Sequence, residues 1–118
     1  MFDLKSIFSP EGACAAVLPG WRSRPQQLAM AEAVERAIAD NSVLLAEAGT
    51  GTGKTYAYLA PALLAGGKVI ISTGTKTLQD QLFFRDIPAM RDALKVPVTI
   101  AMLKGRANYV CHFHLERA

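Results

Sequence analysis

Cysteine is scarce in this 118-residue chain: only Cys14 and Cys111 occur, far apart. That excludes a disulfide framework and suits a reducing compartment, so a cytoplasmic location is expected. Long apolar runs are missing too. The longest, residues 56–65, contains Pro61 and stops at Gly66 and Gly67. It falls short of the ~18–20 residues a membrane-crossing helix needs, and no membrane role is expected. The first ten residues, with Asp3 and Lys5, lack the apolar stretch of a signal peptide. Repeats and low-complexity tracts are absent. Charge of one sign hardly dominates: 13 Lys and Arg face 10 Asp and Glu, a net charge of +3. Such a balance admits a nucleic-acid partner without arguing for one. What is present is a 51% hydrophobic composition, enough for one domain with a core.

Residues 1–24 read as an irregular segment broken by Pro10, Gly12, Pro19 and Gly20, with a short helical turn over 13–18. From Pro25 the pattern changes. Leu28, Ala31, Val34 and Ile38 recur at helical spacing, and Asp40, Asn41 and Ser42 end the helix. Three short aliphatic segments, 43–46, 69–72 and 98–102, read as strands buried on both faces of a parallel sheet. Helical stretches over 54–65 and 78–94 separate them, the second broken near Pro88, and Pro61 should kink or shorten the first. The order β-α-β-α-β predicts an α/β fold of the doubly wound kind.

Residues 47–55 carry the strongest chemical signal. Ala48, Gly49, Thr50, Gly51, Thr52, Gly53, Lys54 and Thr55 have the spacing of a phosphate-binding P-loop, with Ala48 where a glycine usually stands. The glycines let backbone N–H groups close on phosphate oxygens, and the following helix points its positive end at the same anion. Lys54 should reach the β- and γ-phosphates of ATP, and the Thr55 hydroxyl should bind Mg²⁺. These two are the candidate catalytic residues. A predicted strand before the loop and a helix after it supply the context the motif requires.

Two further segments flank the loop. Upstream, Arg24, Gln26 and Gln27 open a helix, and a glutamine amide can both donate to and accept from an adenine edge. Trp21 could stack on the base, although ordinary packing accounts for it equally well. Downstream, Thr73, Thr75 and Thr77 mark the end of the second segment and the start of a helix. They suit either helix capping or contact with a nucleic-acid phosphate. Lys104 and Arg106 flank Gly105 beyond the third segment, at the sheet edge where ligands gather.

Together these residues resemble one family. Arg24 and Gln27, the loop from Ala48 to Thr55, Thr73, Thr75, Leu78 and Gln81, and finally Gly105, Arg106, Asn108, Tyr109 and Cys111 occur in this order in iron–sulfur superfamily-two DNA helicases of the DinG and XPD type. The resemblance runs from about residue 19 to 111. It implies a P-loop NTPase (RecA-like) parallel sheet with flanking helices, here incomplete. Residues 25–118 would form the first part of the first motor domain, ending at the start of the iron–sulfur region. The resemblance further implies adenine recognition by Gln27 with Arg24, and phosphate and Mg²⁺ binding by residues 49–55. It assigns single-stranded DNA contacts to Thr73, Thr75 and Gln81, and the first of four thiolates of a [4Fe–4S] cluster to Cys111. The implied activity is ATP-driven 5′-to-3′ unwinding of single-stranded or forked DNA during repair and replication stress.

The sequence also departs from that family. Its hydrolytic motif, Asp-Glu-x-His on a later strand, has no counterpart, because no Asp-Glu dipeptide occurs. A [4Fe–4S] cluster needs four thiolates, and only Cys111 stands in place. The chain therefore reads as the amino-terminal piece of a helicase, cut after its first cluster cysteine, that binds nucleotide without turning it over. Two other readings are a different P-loop ATPase, such as a small-molecule kinase, and a zinc module of Cys111, His112 and His114. The latter's ligand spacing is too tight.

Overall fold

The computed structural model describes residues 3–18, 21–47, 54–105 and 108–109. Six α-helices occur there: α1 Leu4–Ile7, α2 Ala13–Val17, α3 Pro25–Asp40, α4 Lys54–Ala65, α5 Lys76–Gln81 and α6 Ile87–Leu94. A π-helical turn, Leu82–Asp86, joins the last two. Pro25 opens α3, where its missing N–H costs nothing. Asn41 closes it in the left-handed conformation at φ 51°, and Ser42 N–H donates back to the Ala37 carbonyl at 3.0 Å. The predicted stop at residues 40–42 therefore has a hydrogen-bonded cause.

Both prolines act inside the helical stretches. Pro61 has no N–H to donate to the Ala57 carbonyl. Even so, α4 runs on to Ala65, with Ala57, Leu59, Ala60 and Pro61 all buried, so the expected shortening does not occur. Packing on the buried face outweighs the missing bond. Pro88, in the first turn of α6, would crowd the carbonyl of Phe84 in a regular helix. The wider π-turn over Leu82–Asp86 accommodates it, and this is the predicted break in the 78–94 stretch.

The core gathers Leu4, Ile7, Phe8 and Cys14 from the first two helices with Ala31 of α3, Ala57, Leu59 and Ala60 of α4, Leu82, and Met90 and Leu94 of α6. α3 packs along α4, while α2 and α4 both pack against α6. The first 24 residues thus supply two helical turns and several of the largest buried side chains.

The three expected strands are not seen among the described residues. Among the described residues, segments 43–46, 69–72 and 98–102 carry no strand, and no backbone hydrogen bond joins any two of them. Val43 is 97% exposed, Leu45 98% and Ile70 96%, where burial on both faces was expected. An isolated extended segment leaves its N–H and C=O groups to water, and a ladder forms only when a neighbouring strand lies within hydrogen-bonding distance. Segments 69–72 and 98–102 instead line one open groove of about 980 Å³.

Cys14 is fully buried and its Sγ–H points at Met90 Sδ, 3.9 Å away. Burial pushes its thiol up from 9.0 to about 11. Because the folded value lies above the unfolded one, the stabilisation is complete below about pH 9 and is lost as pH rises through 11. Iodoacetamide at pH 8 should leave Cys14 unmodified in the native protein and alkylate it fully in denaturant, as read by peptide mass mapping. Equal labelling in both conditions would contradict the burial.

Candidate functional site

Lys54 and Thr55 form the first turn of α4, the helix that follows the glycine-rich loop. Lys54 is exposed and makes no ion pair with any described residue. Thr55 is half-buried, and its side chain hydrogen-bonds with Tyr58. The Tyr58 hydroxyl is raised chiefly by burial and then by the charge of Asp86, with the Thr55 contact acting in the opposite direction. Ala48, Gly49, Thr50, Gly51, Thr52 and Gly53 lie outside the described residues.

Arg24 and Gln27 share the first turn of α3, with Gln27 N–H donating to the Arg24 carbonyl at 3.1 Å. Arg24 is exposed, while Gln27 is buried at 3%. Trp21 stacks on Phe8 at 5.8 Å between centroids and meets the edge of Tyr56 at 6.0 Å. The protein interior therefore uses this ring, and it is no free shelf for a base. Its buried Nε1–H has no acceptor among the described residues.

Thr75, which lines the groove, caps α5: its hydroxyl oxygen accepts from Leu78 N–H at 3.2 Å. The Thr73 hydroxyl donates to the Thr75 carbonyl at 3.3 Å. Helix α5 also holds the segment beyond residue 102. Gln79 Nε2 donates to the Leu103 carbonyl at 2.8 Å, and Lys104 Nζ lies 3.0 Å from Asp80 Oδ1, an ionic contact off the line of a hydrogen bond. Lys104 N–H donates to the Tyr109 hydroxyl at 2.7 Å, closing a turn over Gly105 and Asn108. Lys104 is thus tied to the helix that Thr75 caps. Arg106 and Cys111 lie outside the described residues.

Sequence reasoning missed the centre of this arrangement, Asp86. Its carboxylate is 1% exposed and accepts three hydrogen bonds of 3.1 Å, from Tyr56 Oη and Arg85 Nε on Oδ1 and from Gln81 Nε2 on Oδ2. The Tyr56 hydroxyl is raised, first by burial and then by this carboxylate. The available signal was a single acid within the apolar helical stretch 78–94, directly before Ile87 and Pro88. An acid buried there must find donors. Among the described residues, no three His, Cys, Asp or Glu side chains come together as a metal site, and no helix is long and apolar enough to cross a membrane.

Comparison with known proteins adds an independent line. A family model described as DEAD/DEAH box helicase matches residues 23–108. The chain is 56% identical over 115 residues to the ATP-dependent DNA helicase YoaA of Haemophilus influenzae, covering 98% of this chain and 18% of that protein. It is 56% identical over 110 residues to the protein of the same name from Escherichia coli, covering 93% and 17%. It is 40% identical over 111 residues to the 3′-5′ exonuclease DinG of Bacillus subtilis, covering 91% and 12%. The chain spans less than a fifth of the length of each of these three. No solved structure matches it.

Proposed function

The chain belongs to the DEAD/DEAH box helicase family, and from that premise we propose that it forms the nucleotide-binding part of an ATP-dependent 5′-to-3′ DNA helicase. The supporting observation is the exposed Lys54, which makes no ion pair with a described residue, at the head of α4 directly after the glycine-rich loop. An exposed cation beside a helix N-terminus suits a triphosphate, with Thr55 adjacent for its Mg²⁺. When bound, that ion would neutralise charge on the phosphate oxygens. Arg24 and Gln27 would read the adenine, and residues 48–55 would cradle the phosphates.

In this reading residues 25–118 are the first part of a RecA-like motor domain, preceded by the N-terminal segment 1–24. The apolar side chains of 43–46, 69–72 and 98–102 are those its parallel sheet would bury. Thr73, Thr75 and Gln81 would face single-stranded DNA, consistent with repair of stalled or forked DNA in the cytoplasm. Cys111 would be one thiolate of a [4Fe–4S] cluster. Cys14 does not fit that role, because it is packed in the core as a thiol of raised pKa. Two cysteines cannot supply four ligands, so no step here runs through a cluster.

The test is binding of a fluorescein-labelled oligothymidylate followed by anisotropy. Two or three phosphate contacts predict an affinity loss of about tenfold between 50 and 200 mM salt. Binding indifferent to salt, or no binding at 50 mM, would contradict the DNA role.

A further inference from the structure

Tyr56 lies two residues beyond Lys54, in the first turn of the nucleotide-facing helix. Gln81 closes α5, the helix whose cap is Thr75. A side chain from each of these two helices ends on the same buried carboxylate, one on each oxygen. Asp86 itself sits at the end of the π-turn, a helical form that recurs where function requires an altered backbone. The third donor, Arg85, is the charge partner, and its side chain is two-thirds exposed. A buried carboxylate with both oxygens engaged has few alternative arrangements, since releasing any donor leaves charge unsatisfied away from water. Two hydrogen bonds therefore link the first turn of α4 to Gln81.

We infer that Asp86 is a positioning residue that couples nucleotide binding at the head of α4 to single-stranded DNA binding at α5, through the chain Tyr56–Asp86–Gln81. The inference rests on the nucleotide and DNA reading given above. It predicts reciprocal coupling, in which each ligand changes the affinity of the other by the same factor.

The variant that tests it is Tyr56→Phe, which removes one hydroxyl and leaves the ring against Trp21. Asp86→Asn, nearly isosteric, is the second. Oligothymidylate affinity is measured with and without the non-hydrolysable analogue AMP-PNP. In the unmodified protein the two affinities should differ by about fivefold or more. In Tyr56→Phe the ratio should fall to within twofold of unity, while each ligand alone binds within threefold of the unmodified protein. Asp86→Asn should abolish the ratio in the same way wherever its melting curve stays cooperative.

An unmodified protein that binds neither ligand overturns the site reading and this inference with it. An unmodified protein that binds both without coupling, or a Tyr56→Phe variant that keeps the full ratio, overturns the inference alone. Equal weakening of both ligands in Tyr56→Phe, with a lowered melting temperature, would show that Asp86 only supports the fold.

Discussion

Replacing Lys54 with alanine is expected to lower ATP affinity by about ten- to a hundredfold while leaving the fold intact. A hydrogen bond to a charged group contributes about 1.5–3 kcal/mol, and 1.4 kcal/mol is a factor of ten in affinity. The fold should not suffer, for reasons visible around the residue. Lys54 is exposed, makes no ion pair with a described residue, and opens α4 at a position where alanine is the better helix former. Lys68→Ala is the control, because Lys68 is equally exposed but lies beyond the end of α4. It removes the same charge and should change ATP affinity by less than twofold. Titration calorimetry and a melting curve on each variant decide the matter. Unchanged affinity in Lys54→Ala would leave the nucleotide site without its principal cation.

The parts of this molecule that sequence made legible are those with local causes. Pro25 and Asn41 bound α3 because a missing N–H and a left-handed residue are tolerated only at helix ends. Thr75 caps α5 through its own hydroxyl. Pro88 interrupts a helix whatever surrounds it. The strands were another matter. Aliphatic runs such as 69–72 state a preference for burial, but a ladder depends on a neighbour that local sequence does not specify. Asp86 was hidden for a related reason. Its donors come from positions 56, 81 and 85, and only the packing of α4 against the 82–94 stretch brings Tyr56 to it. The packing of residues 4–18 was hidden too, because Pro10 and Gly12 read as breakers when one of them is a point of contact.

That contact gives the largest expected effect on stability, from Gly12→Ala. Gly12 caps α2 in ordinary extended backbone, φ −86° and ψ −173°, so conformational freedom is not what the position demands. Space is. A Cβ there would lie 1.9 Å from the Ser6 carbonyl oxygen and 2.7 Å from that of Ile7. Both obstacles are backbone of α1 and cannot swing aside as a side chain would. Relief requires α1 and α2 to separate. Leu4, Ile7 and Phe8 sit in the core on one side of the contact, and Cys14, against Met90 of α6, sits on the other. Overpacking in a core costs about 1–3 kcal/mol, and a clash between two backbones belongs at the upper end, about 3 kcal/mol. The comparison is Gly67→Ala, where a Cβ meets nothing within 4 Å. That change should be neutral or stabilising by up to about 1 kcal/mol, since it restricts the unfolded chain without straining the folded one. Urea unfolding of the two variants should therefore move in opposite directions from the unmodified protein, or in Gly12→Ala alone. A Gly12→Ala midpoint equal to the unmodified one would mean that α1 does not lie against α2, and that the first eighteen residues do not close the core on which α4 and its nucleotide-facing turn are seated.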